Sequence, residues 1–359
     1  MQRAVPFHFL RGGTSRGPYL NRVDLPVDET ALKRVLAAMM GAGHPLTLDG
    51  LGGGAAVTTK VAMLSPSESP EADVDYLFAQ VAPDGSGVDL GPTCGNILVG
   101  VGPAAIEMGL VPATSGRTRV RIRAVNTGAR VDATVVTRDG APVYAGDAAI
   151  DGVPGTAAPV ELAFREVMGG VTGAMFPTGA RREVIEGIEV TCMDVAMPMV
   201  IARASAFGLT GREGAEALDA DRAFFDRMER VRRAAGAAMG MGDVSGRVTP
   251  KFGLVAPAVR GGSAAVRYFM PWSAHPTLAV TGSQCLAACL LCPGTVGEGL
   301  LVPVPPAPAR LVLEHPMGTL AVMLDYHKGD GFEVVSAGLT RTARLLARGE
   351  VMVPAAAWP

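Results

Sequence analysis

Segments of helical periodicity alternate along the chain with short runs of β-branched and apolar residues. Apolar positions recur at helical spacing after Asp28, a residue suited to cap a helix, and they predict a helix over residues 28–40. Further helices are predicted over residues 95–108, 214–238 and 283–291. Strands are predicted over 58–64, 74–81, 252–256 and 265–269, on both sides of the turn at 11–17, and within 117–144, 156–200 and 310–335. The tail after Ala343 is expected to form a helical turn and a loose end. The pattern predicts an α/β (α+β) fold.

An internal repeat relates the two halves of the chain. Lys60 precedes Cys94 by 34 positions, and Lys251 precedes Cys285 by the same number. In both copies the lysine enters an apolar strand, an aromatic strand follows, and the cysteine is expected to open an apolar helix. Together with the turn cluster at 151–155, the repeat predicts domains 1–155 and 156–359, with the last strands or the tail packing back on the first half. A duplicated protein of this kind is expected to hold its site in the cleft between the copies.

Composition narrows the functional class. The 359 residues are 48% hydrophobic and 18% charged, which excludes disorder as the main state. The formal net charge of −2 argues against nucleic acid or an anionic membrane surface as a partner. No apolar run has the length of a signal peptide or a membrane span, and the five cysteines are typical of a reducing compartment. We therefore expect a cytoplasmic protein.

Cys94 and Lys60 are the candidate catalytic residues. Cys94 stands at the start of a predicted helix, where Gly95 and Asn96 present backbone N–H groups that favour an anion. Lys60 follows glycine, alanine, valine and threonine, so it is a candidate proton carrier. The alternatives are a packed thiol and a strand-edge lysine in water. The glycine run before Lys60 lacks the pattern of a phosphate loop, and no dinucleotide fingerprint is present.

Cys285, Cys289 and Cys292 have the spacing of a possible iron–sulfur ligand set. The same spacing places all three on one face of a helix between alanine and leucine residues. We interpret the cluster as helix packing and expect no metal, with Cys285 alone kept as a candidate site residue because of the repeat.

The turn Arg11–Gly17 combines backbone N–H groups, two hydroxyls and two guanidinium groups, a set suited to bind a carboxylate. Arg11, Gly13, Thr14 and Ser15 are the candidates there. The alternative is a surface turn with solvated arginines. His315 is a further candidate pocket residue.

These segments carry a family resemblance. RGGTSRG at residues 11–17, TTKVA ending the glycine-rich stretch, DVDYLFAQV, TCGNILVGVGP, NTG at Asn126 and RTARLL near Arg344 together resemble the methylaconitate isomerase family, along essentially the whole chain. The resemblance implies a diaminopimelate-epimerase-like fold with two pseudo-symmetric halves, each wrapping a strand-rich half-barrel around a central helix. It also implies an isomerase that works without a cofactor, and it maps the family's lysine and cysteine onto Lys60 and Cys94. Arg16 and Met317 depart from the family pattern, which usually has Lys and Ser there, and the position of Cys285 need not be cysteine.

The implied reaction is a proton shift within an unsaturated di- or tricarboxylate. Such a reaction forms an enolate-like charge that needs fixed donors, and the helix starts after Cys94 and at Gly282 and Ser283 are expected to supply them. The expected substrate is 4-oxalomesaconate, converted from keto to enol form. The alternatives are 2-methylaconitate or another aconitate-type substrate, and a non-catalytic carboxylate-binding protein. A homodimer is left open.

Overall fold

The computed structural model describes residues 2–91, 93–270, 272–328 and 331–358. The chain packs as two compact units, Met1–Phe164 with Thr340–Pro359, and Arg165–Leu339. The first unit thus ends at residue 164 rather than at the expected 155, and the C-terminal segment belongs to it. Both units combine many strands with few helices, so the α/β prediction is confirmed.

The first unit begins with a long hairpin and carries its longest helix early. Its strands are β1 (Gln2–Gly12), β2 (Ser15–Asn21), β3 (Lys60–Pro66), β4 (Val74–Val81), β5 (Val88–Asp89), β6 (Gly116–Ala124), β7 (Arg130–Arg138), β8 (Ala141–Pro142) and β9 (Pro159–Arg165). Its helices are α1 (Glu29–Met40), α2 (Gly95–Val99) and α3 (Val101–Glu107).

The second unit has the same alternation of elements. Its strands are β10 (Glu183–Ile185), β11 (Ile188–Asp194), β12 (Pro198–Arg203), β13 (Lys251–Ala256), β14 (Ala264–Phe269), β15 (Ala309–His315), β16 (Gly318–Lys328) and β17 (Phe332–Pro354). Its helices are α4 (Ala215–Ala220), α5 (Arg222–Ala238) and α6 (Val280–Leu291). Strand β17 continues into the first unit from Thr340 onward.

Strand pairing repeats between the units. In the first unit β1 and β2 pair antiparallel, β2 and β3 parallel, β3 and β4 antiparallel, β4 and β6 parallel, and β6 and β7 antiparallel. In the second unit β11 to β16 pair in the same alternation. Lys60 and Lys251 are the first residues of the corresponding strands β3 and β13. The predicted duplication is therefore present in the topology.

Helix α1 shows why local sequence sets the element ends. The Asp28 side chain accepts a hydrogen bond from the backbone N–H of Ala31 at 2.8 Å, and Gly41 ends the helix in the left-handed region with φ of 69°. Leu32 and Leu36 lie on its buried face, as the periodicity predicts. The helix boundaries agree with the prediction because cap and periodicity are both local signals.

In each unit an apolar helical segment follows the second antiparallel strand pair, which is β3–β4 in the first unit and β13–β14 in the second. Helices α2 and α3 bury Ile97, Leu98 and Val101 in a core that also includes strand residues of the first unit. Helix α6 is buried at every position from Gly282 to Leu291. A helix that is apolar all round belongs inside a layer of strands, which agrees with the expected central helix.

Three predicted helices differ from the observed ones. The segment 95–108 breaks at Gly100 into α2 and α3, and the segment 214–238 breaks at Asp221. Asp221 caps α5 by accepting the N–H of Phe224, so its side chain competes with helix continuation. Helix α6 begins at Val280 rather than at 283, so Cys285 lies within the helix and does not open it.

The prediction of a helical turn and a loose end after Ala343 is wrong. Strand β17 runs to Pro354 and pairs antiparallel with β1, from Gln2 opposite Pro354 to Gly12 opposite Ala343. Strand β17 pairs with the backbone N–H and C=O groups along the edge of β1. Because the two strands are far apart in the sequence, no local pattern predicts this pairing. None of the described helices combines the length and apolar character that a membrane span requires.

Candidate active site

Lys60 and Cys94 lie in contact. Lys60 opens β3 and is half-buried, and its Nζ donates a hydrogen bond to the Cys94 Sγ at 3.1 Å. The same ammonium group lies 6.0 Å from the centre of the Phe78 ring. The two residues are 34 positions apart, and the β3–β4 hairpin lies between them in the chain. The structure thus brings together the two residues predicted to be catalytic.

The two tyrosines near Cys94 stay uncharged. Cys94 is the N-cap residue of α2 and is 9% exposed, and the first-turn N–H groups of Gly95 and Asn96 precede the first intrahelical bond, from Leu98 to Cys94. Burial raises the pKa of Tyr76 and of Tyr19, with Cys94 contributing in the same direction. Both phenols therefore stay protonated near neutral pH.

The turn between β1 and β2 is fastened to the start of α2. The backbone N–H of Thr14 donates to the Asn96 Oδ1 at 3.3 Å, and the Asn96 Nδ2 donates to the Thr14 Oγ1 at 3.1 Å. Gly13 has a φ of 51°, and a Cβ there would lie 2.1 Å from the Asn96 Oδ1. Glycine is thus required for both conformation and space.

Ser15 lies at the same turn with an unsatisfied hydroxyl group. The residue is 3% exposed, and its Oγ has no hydrogen-bond partner among the described residues. A buried hydroxyl without a partner is costly, so a polar ligand or water at this place would be stabilised by it.

Arg11 stabilises the turn between β1 and β2 through hydrogen bonds, in addition to carrying a positive charge. Its Nη1 donates to the carbonyl oxygens of Gly13 and Thr342, each at 2.9 Å, which holds the turn against β17. In the strand register Arg11 lies opposite Arg16 on one side and Arg344 on the other. Burial and the charge of Arg344 lower the pKa of Arg11. Like charges in directly opposed positions are unfavourable by themselves, so this row of arginines favours an anionic neighbour.

Asn126 supports the site, and sequence reasoning did not include it among the site residues. Its Oδ1 accepts the N–H of Phe78 at 2.9 Å, and its Nδ2 donates to the carbonyl oxygens of Phe78 at 3.0 Å and of Leu90. It therefore joins β4 to the loop that leads to Cys94. Its place in the NTG motif was the available signal.

The predicted residues of α6 are buried in the second unit. Ser283 is fully buried and its Oγ donates to the carbonyl of Val280 at 2.7 Å, while Gly282 packs against Tyr268, whose ring lies 2.5 Å from a Cβ built there. Cys285 is fully buried with its Sγ 3.8 Å from the carbonyl of Met193, and burial raises its pKa. The first intrahelical bond of α6 runs from the Ser283 N–H to the Ala279 carbonyl at 2.9 Å, so Gly282 lies among the first-turn N–H groups, as expected, whereas the Ser283 N–H is already engaged.

His315 and the remaining cysteines complete the predicted set. His315 ends β15, is 3% exposed, and its carbonyl accepts a hydrogen bond from Arg260 at 2.6 Å. Cys289 is buried in α6 and Cys292 caps its C-terminus, which agrees with helix packing. Within the described residues no group of three or more His, Cys, Asp or Glu side chains is placed to hold a metal ion.

The topological match between units shows where the repeat departs from the prediction. Lys251 corresponds to Lys60, and the helix N-cap that corresponds to Cys94 is Ala279. The second copy thus keeps the lysine and lacks a thiol at the cap. The equal spacing of Lys251 and Cys285 is a coincidence of loop lengths.

Comparison with known proteins gives consistent matches along the whole chain. The profile described as PrpF protein matches residues 2–354. A (4E)-oxalomesaconate Delta-isomerase of Novosphingobium sp. is 45% identical over 98% of this chain and 98% of its own length. A 4-oxalomesaconate tautomerase of Pseudomonas putida is 43% identical over 99% of this chain and 98% of its own length. The crystal structure of a methylitaconate-delta-isomerase superimposes with a TM-score of 0.90 at 31% identity, covering 99% of this chain and 97% of that chain.

Proposed function

The chain belongs to the PrpF protein family, and from this membership and the Lys60–Cys94 contact we propose that it moves a proton within an unsaturated oxo-tricarboxylate, converting 4-oxalomesaconate between its keto and enol forms. The resemblance found in the sequence motifs is confirmed by the profile match, and the relatives named above are isomerases. The observation that carries the proposal is the 3.1 Å contact between an ammonium group and a thiol.

Lys60 and Cys94 form a pair that can take up and return one proton. The member that lacks a proton, the Lys60 amine or the Cys94 thiolate, takes the proton from a carbon beside a carbonyl group, which leaves an enolate-like charge, and the same proton returns to the oxygen or to the allylic carbon. We assign the larger share to Lys60, because the ammonium group that it becomes also attracts the negative charge of the substrate. Cys94 lies at the first-turn N–H groups of α2, where it helps to hold the anion.

Two features of the first unit support a polyanionic substrate. The buried Ser15 hydroxyl lacks a partner among the described residues, and the arginines at positions 11, 16 and 344 lie opposite one another on three neighbouring strands. Guanidinium groups bind carboxylates in paired hydrogen bonds. Arg16 retains the positive charge of the lysine that the family usually has there.

The proposal is tested by assaying purified protein against three substrates: 4-oxalomesaconate, 2-methylaconitate and 3-methylitaconate. We expect the highest kcat/KM with 4-oxalomesaconate. Turnover of 2-methylaconitate or 3-methylitaconate alone would refute the substrate assignment, and failure with all three, together with no proton exchange into bound ligand, would refute an isomerase role.

Two substitutions test the roles of the pair. Lys60→Ala is expected to lower kcat about 10²-fold or more, the usual scale of general acid–base groups, whereas Cys94→Ser is expected to retain part of the activity. Lys33→Ala is the matched control, since Lys33 lies exposed on α1 and pairs with Glu29 at 2.7 Å. A Lys60→Ala protein with near wild-type kcat beside an inactive Cys94→Ser protein would invert the assignment.

A further inference from the structure

A cavity of about 170 Å³ lies in the second unit beside strands β14 and β15. At about 30 Å³ per water molecule it has room for roughly five or six waters, or for one small ligand. Arg212 and Arg260 are exposed at its rim, and Arg267 and Glu314 are buried in its wall, 4% and 1% exposed. The cavity is therefore open on one side and charged inside.

Arg267 is a buried cation with unused donors. Its Nε donates to the carbonyl of Glu213 at 2.6 Å and its Nη1 to the carbonyl of Val266 at 2.7 Å. No hydrogen bond from its Nη2 is found within the described residues. Burial lowers its pKa, while the charges of Glu213 and Glu314 act in the opposite direction. A desolvated guanidinium group with spare N–H donors is costly unless an anion meets it.

The carboxylate in the wall is already satisfied by the backbone. Glu314 accepts hydrogen bonds from the N–H groups of Val259 at 2.9 Å, Arg260 at 2.6 Å and Gly262 at 2.8 Å. The other nearby carboxylate, Glu213, accepts from the N–H and hydroxyl of Thr210, each at 2.7 Å. Glu314 thus lines the cavity with its oxygens held by backbone N–H groups, while Glu213 is not among the lining residues.

The rim arginines add positive charge, and one of them, Arg260, also forms an ion pair with Glu314 in the wall. The Nη2 of Arg260 donates to the carbonyls of His315 and Gly318, and its Nε lies 4.0 Å from Glu314. The side chain of Arg212 makes no hydrogen bond or ion pair within the described residues. Three guanidinium groups and one carboxylate thus line the space.

The first unit fills the corresponding place with its own ion pair. By strand register Ala265 corresponds to Asp75 and Glu314 to Arg123, and in the first unit Arg123 and Asp75 are bonded to each other. The same register matches Arg267 with Leu77. The duplicated fold therefore does not require a buried arginine here, since the matched position of the first unit is a leucine.

We propose that this cavity of the second unit, whose lining includes Arg212, Arg260 and Arg267 and neither Lys60 nor Cys94, binds a small oxyanion, a carboxylate or a phosphate. The anion would accept the spare hydrogen bonds of Arg267 and lie between the two rim guanidinium groups. Arginine is the side chain best suited to such planar, bidentate contacts.

The test is isothermal titration calorimetry of the whole protein with inorganic phosphate and, separately, malonate at low ionic strength. The proposal expects saturable binding of at least one anion, weakened about tenfold or more when Arg212→Ala and Arg260→Ala are combined, the scale of lost charge-assisted hydrogen bonds. Arg230→Ala, which removes an exposed arginine of α5, is the matched control, and Lys60→Ala removes binding at the candidate active site. Both are expected to leave this binding unchanged.

Tighter binding of phosphate or of malonate shows whether the site prefers a phosphate or a carboxylate group. Arg267→Leu, which introduces the residue of the first unit, is expected to abolish binding while the protein stays folded. No saturable binding of either anion, equal binding by the doubly substituted protein, or loss of binding in Lys60→Ala would each overturn the proposal.

Discussion

Replacing Gly17 by alanine tests how closely the position of Lys60 governs activity. Gly17 lies in β2 beside the first residue of β3, and a Cβ built on it would lie 1.8 Å from the Lys60 carbonyl oxygen. Real Cβ contacts essentially never fall under 3.0 Å, so the two strands must separate by about 1.2 Å, the difference between these values. The backbone of Lys60 has to take up much of this shift.

The expected loss in kcat follows from that displacement. A misplacement of about 1 Å in a catalytic group can cost about 10²-fold, so we expect Gly17→Ala to lower kcat by roughly that factor. Forcing extra volume into a packed place is expected to cost about 1–3 kcal/mol of folding free energy. The assay is steady-state turnover of 4-oxalomesaconate, with the melting temperature measured on the same preparation.

Gly349→Ala is the matched control for this experiment. Gly349 also lies within a strand, β17, and a Cβ added there meets no atom within 4 Å. It is expected to change neither kcat nor the melting temperature measurably. A Gly17→Ala protein that is destabilised yet keeps wild-type kcat would refute the argument that Lys60 must be held in place.

Three further perturbations test other parts of the structure. Arg232 is fully buried in α5, where it pairs with Glu229 and donates hydrogen bonds to the carbonyls of Val244, Arg247 and Pro250. Arg232→Met is therefore expected to lower the free energy of unfolding, measured by urea denaturation, by about 3–5 kcal/mol. Arg233→Met, at an exposed neighbouring position, is the control and is expected to change it little. Iodoacetamide at pH 8 is expected to alkylate Cys94 before the other four cysteines. Burial raises the pKa of Cys192 and Cys292 to about 12 and that of Cys289 to about 11, and it also raises the pKa of Cys285. Faster labelling of any of these four, measured by mass spectrometry, would contradict the site geometry. Burial acts to raise the pKa of Glu314, but the hydrogen bonds from three backbone N–H groups outweigh burial and lower the pKa. The stability that this carboxylate contributes is therefore complete above its ordinary pKa of 4.5, and it is lost as the pH falls through the lower pKa of the folded state. Glu314→Gln should therefore lose less stability than the wild type on acidification below pH 4.5, and a slope equal to that of the exposed-site control Glu216→Gln would not fit a depressed pKa.

The role of Asn126 illustrates what the motifs alone left out. The chain is an isomerase of the PrpF family, and the motif around Asn126 contributed to recognising it. Its three hydrogen bonds to Phe78 and Leu90 join segments 36 and 48 positions away. No residue close to Asn126 in the sequence indicates these hydrogen-bond partners, so its role in joining the two segments is visible only in the folded chain.

Features that depend on residues close together in the chain were predictable from local patterns. Caps and apolar periodicity place α1 between Asp28 and Gly41, and the small-residue approach to Lys60 and the glycine after Cys94 indicate the two candidate catalytic side chains. The recurrence of a lysine at the start of two strands likewise indicated a duplicated fold. Such signals act over one or two turns of helix or a single strand, so they survive without knowledge of tertiary contacts.

Features that depend on which distant segments pair became visible only in the folded chain. The tail became the strand beside β1, the unit boundary moved past residue 155, and Cys285 was placed inside α6 rather than at its start. In the same way the register of β14 and β15 left a cavity where the first unit has an ion pair. Strand pairing satisfies backbone groups that are remote in sequence, and local periodicity contains no information on that choice of partner.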